Sequence, residues 1–176
     1  MLLVAQLAGF AKPLERMVAD WSSFAREAGA SGVEQCPASG EALLWERLRR
    51  GPSVAGATEL KVAVPISQLA QAVAVIEAEA RAAGLTAALH AGAGVGVARA
   101  ALSGGTAETL VPAIRRLRAA LREQLGSVVV EAAPLAVKAE LDIMGEIPDT
   151  FEVMRRIKSQ LDPAGIMNPG RFLGRL

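Results

Sequence analysis

An α+β fold, an antiparallel sheet with helices on one face, is what this sequence predicts, and three observations carry the prediction. Residues 58–64 alternate as Leu60-x-Val62-x-Val64, the period of a half-buried strand, and a helically spaced apolar run follows directly. Residues 85–102 hold two apolar runs around a glycine-rich turn, a hairpin signal. A long amphipathic run and one more apolar strand then complete a second strand–helix–strand unit. Helices that each follow a strand can all lie on one side of a single sheet. Of 176 residues, 52% are apolar and only 3% aromatic, so the core is built mainly from Ala, Val, Leu and Ile, and the length suits one domain.

Taken in order, Met1 to Phe10 reads as a buried strand ended by Lys12-Pro13. Pro13 suits the first turn of a helix. Leu14, Met17, Val18, Trp21 and Ala25 then recur at helical spacing as far as Ala28, with Gly29 as the stop. Val33 to Cys36 is a candidate short strand. Ser39 to Arg50 is a second helix with Leu43, Leu44 and Leu48 inward, and Trp21 and Trp45 pack in the core. Gly51-Pro52-Ser53 breaks the chain, and residues 53–57 form a loop. After the strand at 58–64, Pro65-Ile66-Ser67 leads into a helix with Ser67 as N-cap. Ala70, Val73, Ile76 and Ala80 face inward, and Gly84 ends that helix.

Strands follow at 85–91 and 94–102. Ser103-Gly104-Gly105-Thr106 starts a long helix with Leu110, Ile114, Leu117, Leu121 and Leu125 on one face. Arg115, Arg116, Arg118 and Arg122 lie mostly off that stripe, as a solvated face or as a surface for a partner subunit. Gly126 closes the helix and residues 127–132 form the next strand. Asp149 and Glu152 have capping-box spacing at the start of a last helix, Phe151 to Gln160, whose apolar stripe is Phe151, Met154, Ile157 and Leu161. The ferredoxin-like arrangement accommodates this order of elements.

A net charge of +1 argues against general nucleic-acid binding, where a basic surface supplies the affinity. The single cysteine, Cys36, excludes an internal disulfide and any multi-cysteine metal or iron–sulfur site in this chain, and reads as a buried structural thiol. No segment reaches the ~18 to 20 apolar residues of a membrane span. Leu2 to Phe10 lacks the basic start and cleavage site of a signal peptide, so a cytoplasmic setting is expected, with peripheral membrane association through a partner left open.

The C-terminus is the most specific stretch. Asp162-Pro163 stops the last helix, because the residue before a proline is pushed out of the α region. Gly165 and Gly170 permit backbone angles that other residues resist, and together with Pro169 they bracket Asn168. Lys158, Asp162-Pro163, Gly165-Ile166 and Asn168-Pro169-Gly170-Arg171 reproduce in order the "DP.gi.NPG" ending, with its preceding Lys and following basic residue, of the FAD-linked oxidases of the vanillyl-alcohol oxidase type. The tail most resembles the FAD-binding subunit of glycolate oxidase and its D-2-hydroxyacid dehydrogenase relatives, and the likeness covers most of the chain, firmly from Leu60 onward.

The resemblance implies a cap or substrate domain. Its tail, residues 161–176, contacts FAD through Asn168, Gly170 and Arg171, where Arg171 touches flavin or the neighbouring domain, or is a solvated cation. It also implies a small 2-hydroxyacid substrate, glycolate or similar. Lys61, at the relatives' "lKv.vP" position, faces flavin or the substrate carboxylate, or is a plain strand lysine. His90 opens the relatives' "H.GDGN.H" run, whose histidines can hold a divalent metal. Here the other polar positions are Ala93, Val95 and Val97, and one imidazole makes a poor metal site, so no metal is expected. His90 is left as a general base, a substrate hydrogen bond or a core histidine. Gly92, Gly94 and Gly96 are spaced for a hairpin, and no P-loop lysine follows them, which excludes a nucleotide-phosphate loop.

Relatives bind most of FAD through a separate N-terminal domain. The expectation is therefore a C-terminal domain whose own FAD affinity is weak or nil and whose partners are its N-terminal FAD domain and other oxidase subunits, an iron–sulfur subunit among them. The alternative is a non-catalytic domain kept for assembly of such a complex.

Overall fold

The computed structural model describes residues 1–52 and 54–176. The chain divides into two compact units, Met1–Glu46 and Arg47–Leu176.

The first unit contains helix α1 (Ala11–Glu27) and most of α2 (Ala38–Arg50). Gly29, at φ +89°, lets the chain fold back so that Gly29 and Ala30 N–H donate to the Arg26 and Ala25 carbonyls, a Schellman ending. Leu14, Val18, Ser22 and Ala25 form the half-buried line of α1, and neither helix has a fully buried residue. Three expectations fail here. Met1 to Phe10 and Val33 to Cys36 are not strands, because a strand needs a ladder partner for its backbone groups and neither segment finds one. Trp21 is 42% exposed rather than in a core, since α1 buries none of its residues fully; Trp45 and Leu44 are half-buried and Leu43 is exposed. Cys36 is an exposed free thiol, because the segment holding it has no layer above it.

The second unit has four strands, β1 (Thr58–Ala63), β2 (Thr86–Gly92), β3 (Val97–Ser103) and β4 (Ser127–Ala132). Helix α3 (Leu69–Ala82) connects β1 to β2, and α4 (Ala107–Arg122) connects β3 to β4. The sheet order is β2-β3-β1-β4 and every pairing is antiparallel, which is the predicted ferredoxin-like arrangement. Leu60 and Val62 from β1, Ala98, Ala100 and Leu102 from β3, and Val128 and Val130 from β4 bury one sheet face against Ile76 of α3 and Ile114, Leu117 and Leu121 of α4. Small alanines in β3 let α3 approach closely, while α4 packs on β4, which suits a core with so few aromatics.

The hairpin turn depends on Gly96. Its φ is +66°, and a Cβ there would collide with the Val64 carbonyl oxygen. Its own carbonyl accepts Val64 N–H at 2.9 Å, so the turn is clamped to the end of β1.

Several local expectations shift. The predicted loop begins at Ser53, outside the described residues; at its far end Ala57 N–H donates to the Val54 carbonyl in a turn. Ser67 is not a cap. The chain enters α3 through a 3₁₀ turn, Ile66–Gln68, and the buried face of α3 is Leu69, Ala72, Ile76 and Ala80 in place of Ala70 and Val73, because alanines on every side of the helix leave its stripe weakly marked. Leu125 leaves the α4 stripe because the helix ends at Arg122 and Leu125 adopts φ +56° in the turn to Gly126. Arg118, read as part of a surface stripe, is only 8% exposed. Its Nε donates to the Val128 carbonyl at 3.3 Å and an Nη to the Asp142 carbonyl at 2.7 Å, joining α4 to β4 and to the segment beyond. Arg116 pairs with Glu79 of α3 at 2.9 Å and Arg122 pairs with Glu146, so the basic residues serve largely to tie this unit together.

Beyond β4 lie a short helix, α5 (Leu135–Glu140), which sequence periodicity missed because six residues are too few to show it, and α6 (Phe151–Leu161). The capping box of α6 does not form; Glu152 pairs instead with Arg155 and Arg156 within the helix. Phe151 and Met154 are half-buried, while Ile157 and Leu161 are 53% and 76% exposed. Among the described residues, no helix is long and apolar enough to cross a membrane.

Candidate functional site

The sheet has a second face, opposite the one that packs on α3 and α4, and strand alternation decides what stands on it. Leu60 and Val62 point to the core, so Glu59, Lys61 and Ala63 point the other way. In the same sense Ala98, Ala100 and Leu102 are core, and Val97, Arg99 and Ala101 are opposite. The register then aligns one row across three strands: His90 of β2 faces Arg99 of β3, Arg99 faces Lys61 of β1, and Lys61 faces Val129 of β4. Directly opposed residues in such a ladder have Cα atoms roughly 4.5 to 5.5 Å apart. Two sequence candidates, His90 and Lys61, are thus brought to one face with Arg99 between them.

Sequence reasoning missed Arg99. The available clue was the alternation of β3, which becomes readable once the hairpin turn is centred on residues 93–96 rather than running into a strand that starts at Gly94. Arg99 Nε lies 3.2 Å from Glu131 Oε2, and both side chains are substantially exposed. Ala88 and Ala101 form the neighbouring pair, and Ala101 is fully buried, so that part of the face is covered. Val97 pairs with Gly92 on the same face as His90, so the relatives' second histidine position carries an isopropyl group here. Among the described residues, no group of three or more His, Cys, Asp or Glu side chains could hold a metal ion.

The tail is a separate construction. Asp162, the C-cap of α6, sends its carboxylate back into the next stretch of chain: Oδ1 accepts Ile166 N–H at 3.0 Å and Oδ2 accepts Met167 N–H at 3.0 Å. Lys158, one turn earlier, pairs with the same carboxylate and donates to the Met167 carbonyl at 2.6 Å. The Asp162 side chain is only 4% accessible, and its cover is the tail wrapped around it rather than deep interior. Lys158 and the Met167 and Ile166 N–H groups hold the carboxyl below the usual range, and burial opposes them less strongly.

A depressed folded-state pKa stabilises above the unfolded value, ~3.9, and that stability is lost as pH falls through the lower folded value. The tail is therefore expected to stay ordered from neutral pH down to about 4 and to loosen below it. Amide exchange at Ile166 and Met167 across an acid titration checks this; protection already lost near neutral pH would contradict it.

This clasp fixes Asn168. Its φ is +47°, a left-handed conformation that Asn tolerates, and its carbonyl accepts Arg171 N–H at 3.2 Å across Pro169 and Gly170. Gly170 at φ +71° after a proline suits a type II turn. Asn168 and Arg171 stand at an open groove of roughly 690 Å³, floored by Met154, Ile157, Leu161, Met167 and Phe172. The chain end is anchored too: Gly174 N–H donates to Asp142 Oδ2 at 2.8 Å, and Gly174 lies so close to the Phe151 ring that no Cβ would fit between them. Ile143, next to Asp142, bonds the outer edge of β4 through Val130 N–H at 2.7 Å. The tail anchor thus lies at the β4 edge, three strands from the β2 residue His90. The fold groups Lys61 with His90, and Asn168, Gly170 and Arg171 with one another.

Both surfaces suit a planar, anionic group: a flat sheet face beside N–H donors, and an apolar groove with an amide and a guanidinium at its rim. A family model for FAD linked oxidases, C-terminal domain, matches residues 30–172. No curated protein matches the chain.

Proposed function

The chain belongs to the family of FAD-linked oxidase C-terminal domains, and on that premise we propose that it forms the substrate-side wall and tail contact of a flavoprotein that oxidises glycolate or a similar short 2-hydroxyacid. The finer kinship is to the vanillyl-alcohol oxidase type and the FAD-binding subunit of glycolate oxidase. The observation that carries this reading is the row His90–Arg99–Lys61 on the sheet face away from α3 and α4. Such a row can hold a carboxylate and present an imidazole to a hydroxyl within the same small molecule.

FAD, when bound with the N-terminal FAD domain, supplies the acceptor for the two electrons that leave C2 with its hydrogen. This chain's residues do the rest. His90 takes the hydroxyl proton as the C–H bond breaks. Lys61 would face the carboxylate or the flavin, and the Asn168 amide, Gly170 and Arg171 would hold the cofactor at the tail groove. The chain by itself retains FAD weakly or not at all, because its contacts are few. The surroundings are cytoplasmic, with peripheral membrane association and an iron–sulfur subunit supplied by the assembly.

Flavin absorbance and 2-hydroxyacid-dependent dye reduction by the full-length protein test the reading. Protein that stays colourless in excess FAD would end it. A second reading, a non-catalytic domain kept for assembly, is favoured by Ala93, Val95 and Val97 at the relatives' polar positions; flavin-loaded protein inert toward 2-hydroxyacids would select it. Asn168→Ala is expected to weaken flavin retention by about 3- to 10-fold, the worth of one hydrogen bond. Unchanged retention in equilibrium dialysis would remove Asn168 from the site.

A further inference from the structure

The sheet face holds a cation that the His90 and Lys61 roles leave unused. Arg99 stands at the centre of the row with Lys61 on one side and His90 on the other, so three nitrogen donors align and the acids of that face, Glu59 and Glu131, lie one row away. The stem of Arg99 runs past Gly51, where a Cβ would lie 3.9 Å from its Cδ, so the chain after α2 passes alongside it. Glu131 meets it through Nε at 3.2 Å. A guanidinium has five N–H donors in a planar fork that matches a carboxylate, and contact through Nε engages only part of it. Exposed pairs of this kind are weak, so a competing carboxylate can displace the resident one readily.

We propose that Arg99 is the carboxylate anchor of a binding site for a short monocarboxylate, and that Glu131 is its resident competitor, occupying the guanidinium until the ligand takes its place. The proposal deepens the 2-hydroxyacid reading and rests on it for the choice of ligand. Adjacent strands run roughly 4.8 Å apart, so a two-carbon acid held on Arg99 brings its hydroxyl within reach of His90 on the next strand. Ala101 beside the row is fully buried, so the ligand sits over the Arg99–His90 end of the row, where the Arg99 side chain is exposed. Glu131 then sets selectivity: a neutral analogue cannot exchange with it, and only an anion gains from displacing it.

The test is a titration of glycolate and of glycolamide into the full chain, read by chemical-shift changes at Arg99, His90 and Lys61. Glycolate is expected to shift these residues, and glycolamide to bind at least tenfold more weakly. Arg99→Ala should weaken glycolate about tenfold, one lost charge-assisted contact. Glu131→Gln should tighten it about threefold by removing the competitor. Circular dichroism confirms that both variants fold. Equal binding of the amide and the acid, or glycolate affinity unmoved by either substitution, overturns the proposal. If glycolate binds as described but the flavin-loaded protein does not oxidise it, the site stands and the oxidase reading falls.

Discussion

Arg118→Met is expected to destabilise the sheet-and-helix unit by about 3 kcal/mol, a fall in melting temperature of roughly 10 °C. The guanidinium is buried and bonds the Val128 and Asp142 carbonyls, so its loss leaves acceptors without donors in the interior and cuts α4 from β4. Burial draws its pKa down and the charge of Asp142 draws it back up. Asp142 extends the link, because its carboxylate also accepts the Met144 and Gly174 N–H groups. Loosening Arg118 should therefore free the chain end as well. Arg116→Met, on the exposed Glu79 pair, should cost no more than about 1 kcal/mol. Thermal unfolding of the two variants side by side decides it, and equal losses would sink the argument.

Asp162→Ala should have the largest effect on the tail while leaving the core melting temperature nearly unchanged. The substitution removes the acceptor for two backbone N–H groups and the partner of Lys158 together. Amide protection at Ile166 and Met167 should collapse, proteolysis should move to residues 162–172, and flavin retention by the loaded protein should fall further than in Asn168→Ala. Asp162→Asn keeps oxygen at one position only and should lie between the two. Retained protection at Ile166 in the alanine variant would show that proline and glycine geometry alone shapes the tail.

The range of each interaction decides how much of the molecule is legible in its sequence. The strand at 58–63, the hairpin, the two helices that cross the sheet and the last helix all announce themselves by periodicity, because burial against one layer imposes a repeat. Met1 to Phe10 shows the limit of that rule: its apolar run is real, but pairing depends on a partner strand that no local pattern supplies. Helix phase failed at Ala70 and Val73 because alanines stand on every side of that helix and leave its apolar stripe weakly marked. The tail motif was readable as a motif. That Lys158 and Asp162 exist to position Asn168 became visible only with the carboxylate folded back on Ile166 and Met167.

By itself the sequence determined the family-bearing tail, the α+β layering and the identity of the side chains available for chemistry, because composition, spacing and turn residues are local properties. The tertiary structure decided which of them meet. Arg99 joins His90 and Lys61 only through the register of β1, β2 and β3, in which a one-residue slip would turn Arg99 into the core. Arg118 is a buried tie rather than a surface charge because β4 and the Asp142 segment close over it. Contacts between residues distant in sequence carry no short-range signature, and only the folded sheet brings them together.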